Sequence, residues 1–247
     1  MHIPKTGGKS VNRLAEDLLG KEFCVQHLET RFFWPDGLLP REDIRYVSGH
    51  LSFSQVKPWL PNDSEWGVSA VVRNPFTHLV SHLSWVRNLH MKPFRYERTP
   101  WEFKDLCEKL NRIDFSDLVE VRGLLEGLPP RVFSVFDNCQ TRYFSRFEEG
   151  IAVDERVCEQ ALAAAQSYEV IGLFENMHSF LREIYRRLDI ENRTIEEPPH
   201  INQHNPKIID ECSDLPGLLE LLAPMIHYDQ VLYDALKMGV AKNHAKA

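Results

Sequence analysis

The sequence predicts an α/β fold built around parallel strands, and three observations predict it. A glycine-rich loop near the N-terminus runs into a helical repeat of apolar residues. Val68 to Val72 is a short, β-branched, nearly continuous apolar run, the pattern of a strand buried on both faces. A second run, Tyr168 to Phe174, is again followed by helical spacing. Strand, loop and helix in repeated succession signal a parallel sheet with crossover helices. At 247 residues the chain is long enough for a sizeable core, and residues 1–247 read as a single domain.

Taken in order, the first helix is predicted after Gly7-Gly8, where Val11, Leu14, Leu18 and Leu19 share one face and Gly20 ends the run. Within Tyr46-Val47-Ser48-Gly49-His50-Leu51-Ser52-Phe53, His50 is expected just after a short strand. The strand at Val68–Val72 stops at Arg73-Asn74-Pro75. Asn74 then suits an N-cap and Pro75 the first helical position, with Phe76, Leu79, Val80, Leu83 and Val86 on one face. After the second strand, Phe180, Leu181, Ile184 and Leu188 carry the next helix. Leu218 to Leu236 is a C-terminal helix that Pro224 is placed to split.

Composition narrows the function. With 29 basic against 36 acidic residues and a net charge of −7, no broad basic surface is available to coat nucleic acid, so nucleic acid is not an expected partner. No stretch approaches 18 consecutive apolar residues, which argues against a membrane span. Polar residues stand where the apolar region of a signal peptide would be. Five cysteines, odd in number and without a CxxC pair, indicate neither a zinc knuckle nor a disulfide framework and point to a reduced, cytoplasmic compartment.

The chemistry concentrates in His2-Ile3-Pro4-Lys5-Thr6-Gly7-Gly8-Lys9-Ser10. Adjacent glycines let the backbone approach a ligand and aim consecutive N–H groups at an anion, and the following helix brings its positive end to the same place. Lys5 and Lys9 add charge; Thr6 and Ser10 add hydroxyls. A Walker A loop needs a glycine five residues before Gly8, where Ile3 stands. A second anion-binding pattern follows the strand at Val68–Val72. There Arg73 offers a guanidinium fork at the strand end and Ser81 a hydroxyl on the next helix, a pair suited to gripping a phosphate.

Together, Pro4-Lys5-Thr6-Gly7-Gly8-Lys9-Ser10 and Val71-Val72-Arg73-Asn74-Pro75 with Ser81 resemble the 5′-phosphosulfate loop and the 3′-phosphate motif of sulfotransferases. These enzymes use 3′-phosphoadenosine 5′-phosphosulfate (PAPS). The nearest branches are the carbohydrate enzymes of the heparan-sulfate 2-O and 6-O type and the bacterial sulfotransferases. The resemblance spans roughly residues 2 to 210 and implies a P-loop-like central parallel sheet flanked by helices. It implies PAPS as cofactor, with adenosine 3′,5′-bisphosphate as product and no metal. Lys5, Thr6, Gly7, Gly8, Lys9 and Ser10 would hold the phosphosulfate, Lys5 also acting on the bridging oxygen. Arg73 and Ser81 would hold the 3′-phosphate, and Asn202, in the His200-Ile201-Asn202-Gln203 loop, would close over the nucleotide beside Lys207.

His50 lies where that branch carries its catalytic histidine, and a histidine suits proton abstraction near neutral pH. Asn138-x-Gln140-x-Arg142 resembles a segment near the acceptor, which makes Gln140 and Arg142, with His50, candidate substrate contacts. His78 and His82, four apart on one helical face, read as structural because no third ligand is evident. Seven basic residues between Arg87 and Arg112, interleaved with Trp85, Phe94, Tyr96 and Trp101, would guide an anionic acceptor if they border the cleft.

The resemblance therefore implies transfer of a sulfuryl group to an acceptor hydroxyl, on a carbohydrate or another small alcohol. Two alternatives stay open: a P-loop kinase or NTPase, and a non-catalytic nucleotide-binding protein. Two departures stand out. Position 9 is Lys where the family has a small hydroxyl residue. Only three residues precede the loop, where a core strand runs about 5–6. The first strand is therefore expected to be truncated, and an N-terminal segment or anchor to be missing.

Overall fold

A computed structural model describes residues 1–31, 43–56, 66–145, 150–188 and 208–244. Among these the chain is α/β and mostly helical. In order come α1 (Gly8–Leu19), β1 (Cys24–Val25), β2 (Tyr46–Val47), α2 (Phe53–Val56), β3 (Ser69–Val72) and α3 (Pro75–Arg87). A helical stretch follows: α4 (Pro93–Arg98), α5 (Trp101–Leu110), α6 (Leu118–Glu126), α7 (Pro130–Phe136), α8 (Cys139–Phe144) and α9 (Glu155–Ala165). Last are β4 (Val170–Leu173), α10 (Met177–Arg187), α11 (Ile208–Glu211) and α12 (Leu215–His244).

All strand pairing is parallel, but the one central sheet expected from the sequence is replaced by two sheets of two strands. β1 pairs with β2 in the register Cys24↔Tyr46, and β3 pairs with β4 in the register Ser69↔Val170. Residues Met1–Ile3 bridge them. The Met1 amino group donates to Ser69 O at 2.8 Å, and His2 N–H donates to Gly49 O at 3.0 Å. One bond to each side joins the sheets without making a ladder.

β3 shows why its sequence is continuously apolar. Successive side chains on a strand point to opposite faces. Ala70 and Val72 enter a core with Ile3, Phe144, Ala161 and Leu232, while Val71 faces Val170, Phe180 and Leu181. Both faces are covered, so no polar alternation remains. The sequence boundaries of α3 hold: Asn74 Oδ1 accepts from Thr77 N–H at 3.2 Å and Pro75 opens the helix.

The third and largest core lies away from the sheets, among α3, α5, α6, α7, α11 and α12. Pro224 sits inside α12 without ending it. Leu218 and Leu222 before the proline and Met225 and Ile226 after it are all buried in this core, so packing holds the two halves together against the missing N–H. No described helix is long and apolar enough to cross a membrane.

Candidate functional site

His50 and Arg73, singled out by sequence, lie where parallel strands end, with further polar and aromatic residues beside them. His27 and Glu29 follow β1, His50 follows β2, Arg73 follows β3, and Phe174 and Glu175 follow β4. The glycine loop follows Met1–Ile3 in the same way. Carboxyl ends of parallel strands are where open α/β sheets place their ligands, because the loops there are free of the sheet's own hydrogen bonding.

The loop is held through its carbonyls. Four consecutive carbonyls each accept a side-chain donor: His2 O from His50 Nδ1 (2.7 Å), Ile3 O from Thr6 Oγ1 (2.9 Å), Pro4 O from His78 Nε2 (2.7 Å) and Lys5 O from Arg73 Nη1 (3.2 Å). A carbonyl can only accept, so the proton of His50 sits on Nδ1 and that of His78 on Nε2. With its carbonyls engaged, the loop is left with its N–H groups for an anion. Lys5 (φ 67°) and Gly7 (φ 87°) take the left-handed conformation that reverses the peptide direction. Gly8 is required for space, since a Cβ there would lie 1.8 Å from His2 Nε2.

α1 begins at Gly8. Ser10 and Val11 N–H both turn inward to Gly7 O, at 2.9 and 3.2 Å. The groups ahead of them have no acceptor inside the helix, so the anion cradle comprises the N–H groups up to Lys9 rather than reaching Ser10. The Thr6 hydroxyl proton is likewise spent within the loop.

Arg73 is fixed along its whole length. Gln140 reads its backbone as a strand would, Oε1 accepting Arg73 N–H and Nε2 donating to Arg73 O, both at 2.8 Å. The guanidinium then lies 4.5 Å above the Phe174 ring and donates through Nε to Thr77 Oγ1. Ser81 lies one turn beyond Thr77 on the same face of α3, half-buried. Gln140 is itself held through α8. Asp229 of α12 accepts from the N–H groups of Gln140 and Thr141, and Asn138 Oδ1 accepts from those of Tyr228 and Asp229.

Two sequence candidates thus have internal partners. Gln140 is 1% exposed and positions Arg73. Arg142, 3% exposed, donates to Asp137 O and pairs with its carboxylate at 2.5 Å. Asn202 and Lys207 lie outside the described residues.

Positive charge is concentrated around the loop. Burial and the neighbouring cations Arg73, Lys9, Lys92 and Arg95 push Lys5 down to about 8. Lys9 is lowered by burial and by Lys92 and Arg95. Arg73 is lowered by burial, with Glu175 opposing. Among the described residues no carboxylate comes within salt-bridge distance of these five cations. Like charges left unneutralised are costly unless a ligand completes them. Lys92 and Arg95 flank the start of α4, so part of the basic stretch noted in the sequence does border the loop.

Burial also lowers the pKa of His50, with the hydrogen bond to His2 O and the Glu29 carboxylate opposing. His50 N–H donates to Glu29 Oε2 at 2.9 Å, Glu29 Oε1 faces His27 Nδ1 at 3.0 Å, and the His2 ring stacks 4.4 Å from that of His50. Sequence reasoning passes over His27, Glu29 and Thr77 and gives no role to His2 or Phe174, since no motif spacing marks one; only proximity to the loop or to a strand end could have. His78 and His82 are buried, as a structural role requires, and both are held neutral chiefly by desolvation. Compared with known proteins, the chain matches no family model, no curated protein and no solved structure.

Proposed function

We propose that the chain is a PAPS-dependent sulfotransferase acting on an acceptor hydroxyl, with a P-loop-like sulfotransferase architecture around its parallel strands. The observation that carries this reading is the loop whose carbonyls are engaged. Four of them accept side-chain donors, while Lys5 and Lys9, with Arg73 beside them, bring positive charge to its N–H groups. That arrangement favours a ligand with two separated anionic groups. The 5′-phosphosulfate would lie on the N–H groups up to Lys9, and the 3′-phosphate would lie against Arg73 and Ser81.

Transfer would proceed by in-line displacement. The acceptor oxygen forms a bond to sulfur as the bond from sulfur to the bridging oxygen breaks. His50 Nε2, left unprotonated because Nδ1 holds the proton against His2 O, takes the acceptor proton. Lys5 stabilises the negative charge that collects on the departing 5′-phosphate. Alignment and preset charge then supply most of the rate, as in phosphoryl transfer. A carbohydrate hydroxyl, on an acidic glycan, is the acceptor class we favour, since the charges of Lys92 and Arg95 act on Lys5 and Lys9 in the loop.

Titration calorimetry with adenosine 3′,5′-bisphosphate, beside ADP and ATP with Mg²⁺, tests the reading. Binding of the bisphosphate alone, lost in Arg73→Ala, is expected. ATP binding indifferent to Arg73→Ala would overturn it in favour of a kinase. If the bisphosphate binds and a broad acceptor panel yields a sulfated product, that product should vanish in His50→Ala. A protein that only binds nucleotide would give none.

A further inference from the structure

His27, Glu29 and His50 lie past the ends of β1 and β2 and each offers one ligand atom, all within 4.8 Å of one another. We propose that they form a binding site for a divalent ion of the zinc class, with two nitrogens and one carboxylate oxygen as ligands. The site is independent of the sulfotransferase reading; only its effect on transfer rests on that reading.

His50 and Glu29 are prepared for the role, and an ion would displace the proton that His27 Nδ1 now donates to Glu29. A metal-binding histidine commonly donates its second ring N–H to a carbonyl or carboxylate, which fixes the tautomer and leaves the other nitrogen to the metal. His50 has this arrangement: Nδ1 donates to His2 O at 2.7 Å, leaving Nε2 as ligand. Glu29 is anchored by one oxygen, Oε2, on His50 N–H, while Oε1 faces His27. His27 is held in the left-handed conformation (φ 56°), its carbonyl accepting from both Thr30 N–H and Thr30 Oγ1.

One pair of ligands already has the required spacing, and the third must close in from within 4.8 Å. Tetrahedral zinc with ligands at about 2.0–2.1 Å needs ligand atoms about 3.3 Å apart. His27 Nδ1 and Glu29 Oε1 already stand 3.0 Å apart. The His27 side chain is half exposed, so it can swing without disturbing the core. Three ligands leave a fourth position open to water. The consequence follows from shared use of one atom. A metal on His50 Nε2 occupies the lone pair that would take the acceptor proton, so the ion should inhibit transfer while leaving nucleotide binding intact.

Calorimetric titration of the full chain with Zn²⁺ is the test, on wild type, His27→Asn and Glu29→Gln. Asn tolerates the left-handed backbone, and Gln retains an acceptor for His50 N–H. One equivalent should bind to wild type and at least tenfold more weakly to both variants, with unfolding midpoints and bisphosphate binding unchanged. Co²⁺ substitution should give a visible spectrum without a thiolate charge-transfer band, which excludes Cys24 as the source. Independently of any variant, Zn²⁺ should protect His27 and His50 from diethylpyrocarbonate. No Zn²⁺ binding, binding equal in all three proteins, or unprotected histidines would overturn the site. Loss of bisphosphate binding with the zinc results intact would instead sink only the sulfotransferase reading.

Discussion

Replacing Gln140 tests how Arg73 is held. Its amide makes two hydrogen bonds to the Arg73 backbone, each 2.8 Å, from a side chain 1% exposed. A buried hydrogen bond contributes about 0.5–1.5 kcal/mol net, and an orphaned partner costs about 1–3 kcal/mol. Gln140→Ala removes both bonds and leaves Arg73 N–H and C=O unpaired, so a loss of about 2–4 kcal/mol is expected. At about 2–4 °C per kcal/mol for a chain of this size, the melting temperature should fall by about 4–16 °C. Nucleotide binding should fall with it. The guanidinium donates to Lys5 O and rests on Phe174, and neither contact can survive a slipped backbone.

Gln140→Glu separates the two bonds. It keeps the acceptor for Arg73 N–H and replaces the donor with an oxygen facing Arg73 O, so part of the destabilisation should remain. Thermal unfolding and bisphosphate titration on the same samples read both effects. An unchanged melting temperature together with unchanged affinity in Gln140→Ala would refute the positioning role.

Three further outcomes are expected. Because burial and nearby cations lower Lys5 to about 8 from 10.5, its charge costs stability below about pH 8, and that cost fades as pH rises toward 10.5. Lys5→Met should therefore melt higher than wild type at pH 7, with the gain shrinking above pH 8, while bisphosphate affinity drops. Differential scanning calorimetry across pH reads the first effect and titration the second. Arg142→Ala leaves the buried Asp137 carboxylate without its partner and should cost about 3–5 kcal/mol in chemical denaturation; a variant as stable as wild type would refute the pairing. Gly8→Ala must displace the His2 ring and should lower both stability and nucleotide binding. Gly123→Ala, exposed within α6 with nothing near the added carbon, should stabilise by about 0.5–1 kcal/mol. Opposite signs in thermal melts confirm the contrast.

The features legible in the sequence are those written in consecutive residues. Val68–Val72 declares a strand covered on both faces, Asn74-Pro75 declares a helix start, and Gly7-Gly8 declares a left-handed turn before a helix. β1 is two residues long, too short for any periodicity to register. The helices α5, α6, α7 and α9 form a long insertion between β3 and β4 that the repeating strand–helix reading does not anticipate. At the site, residue types identify Lys5, Arg73 and His50 as chemistry. Their partners are long-range: His78 reaches Pro4 across 74 positions and Gln140 reaches Arg73 across 67. Nothing local distinguishes a glutamine that reads a backbone from one that touches a substrate, and Gln140 and Arg142 show that ambiguity.

The engagement of residues 2–5 by His50, Thr6, Arg73 and His78 has a consequence for the order of folding. Three of these four donors are brought by segments that reach the loop only after the β2 and β3 regions have docked, a closure over long chain separations. The loop conformation is therefore expected to form late in assembly. A peptide of residues 1–20 should not retain it, and a protein denatured only far enough to undock α3 should lose it. Nucleotide binding then doubles as a reporter of complete folding. During refolding, the capacity to bind should return with the slowest step that restores α3 to the loop, after most of the helical signal has already recovered.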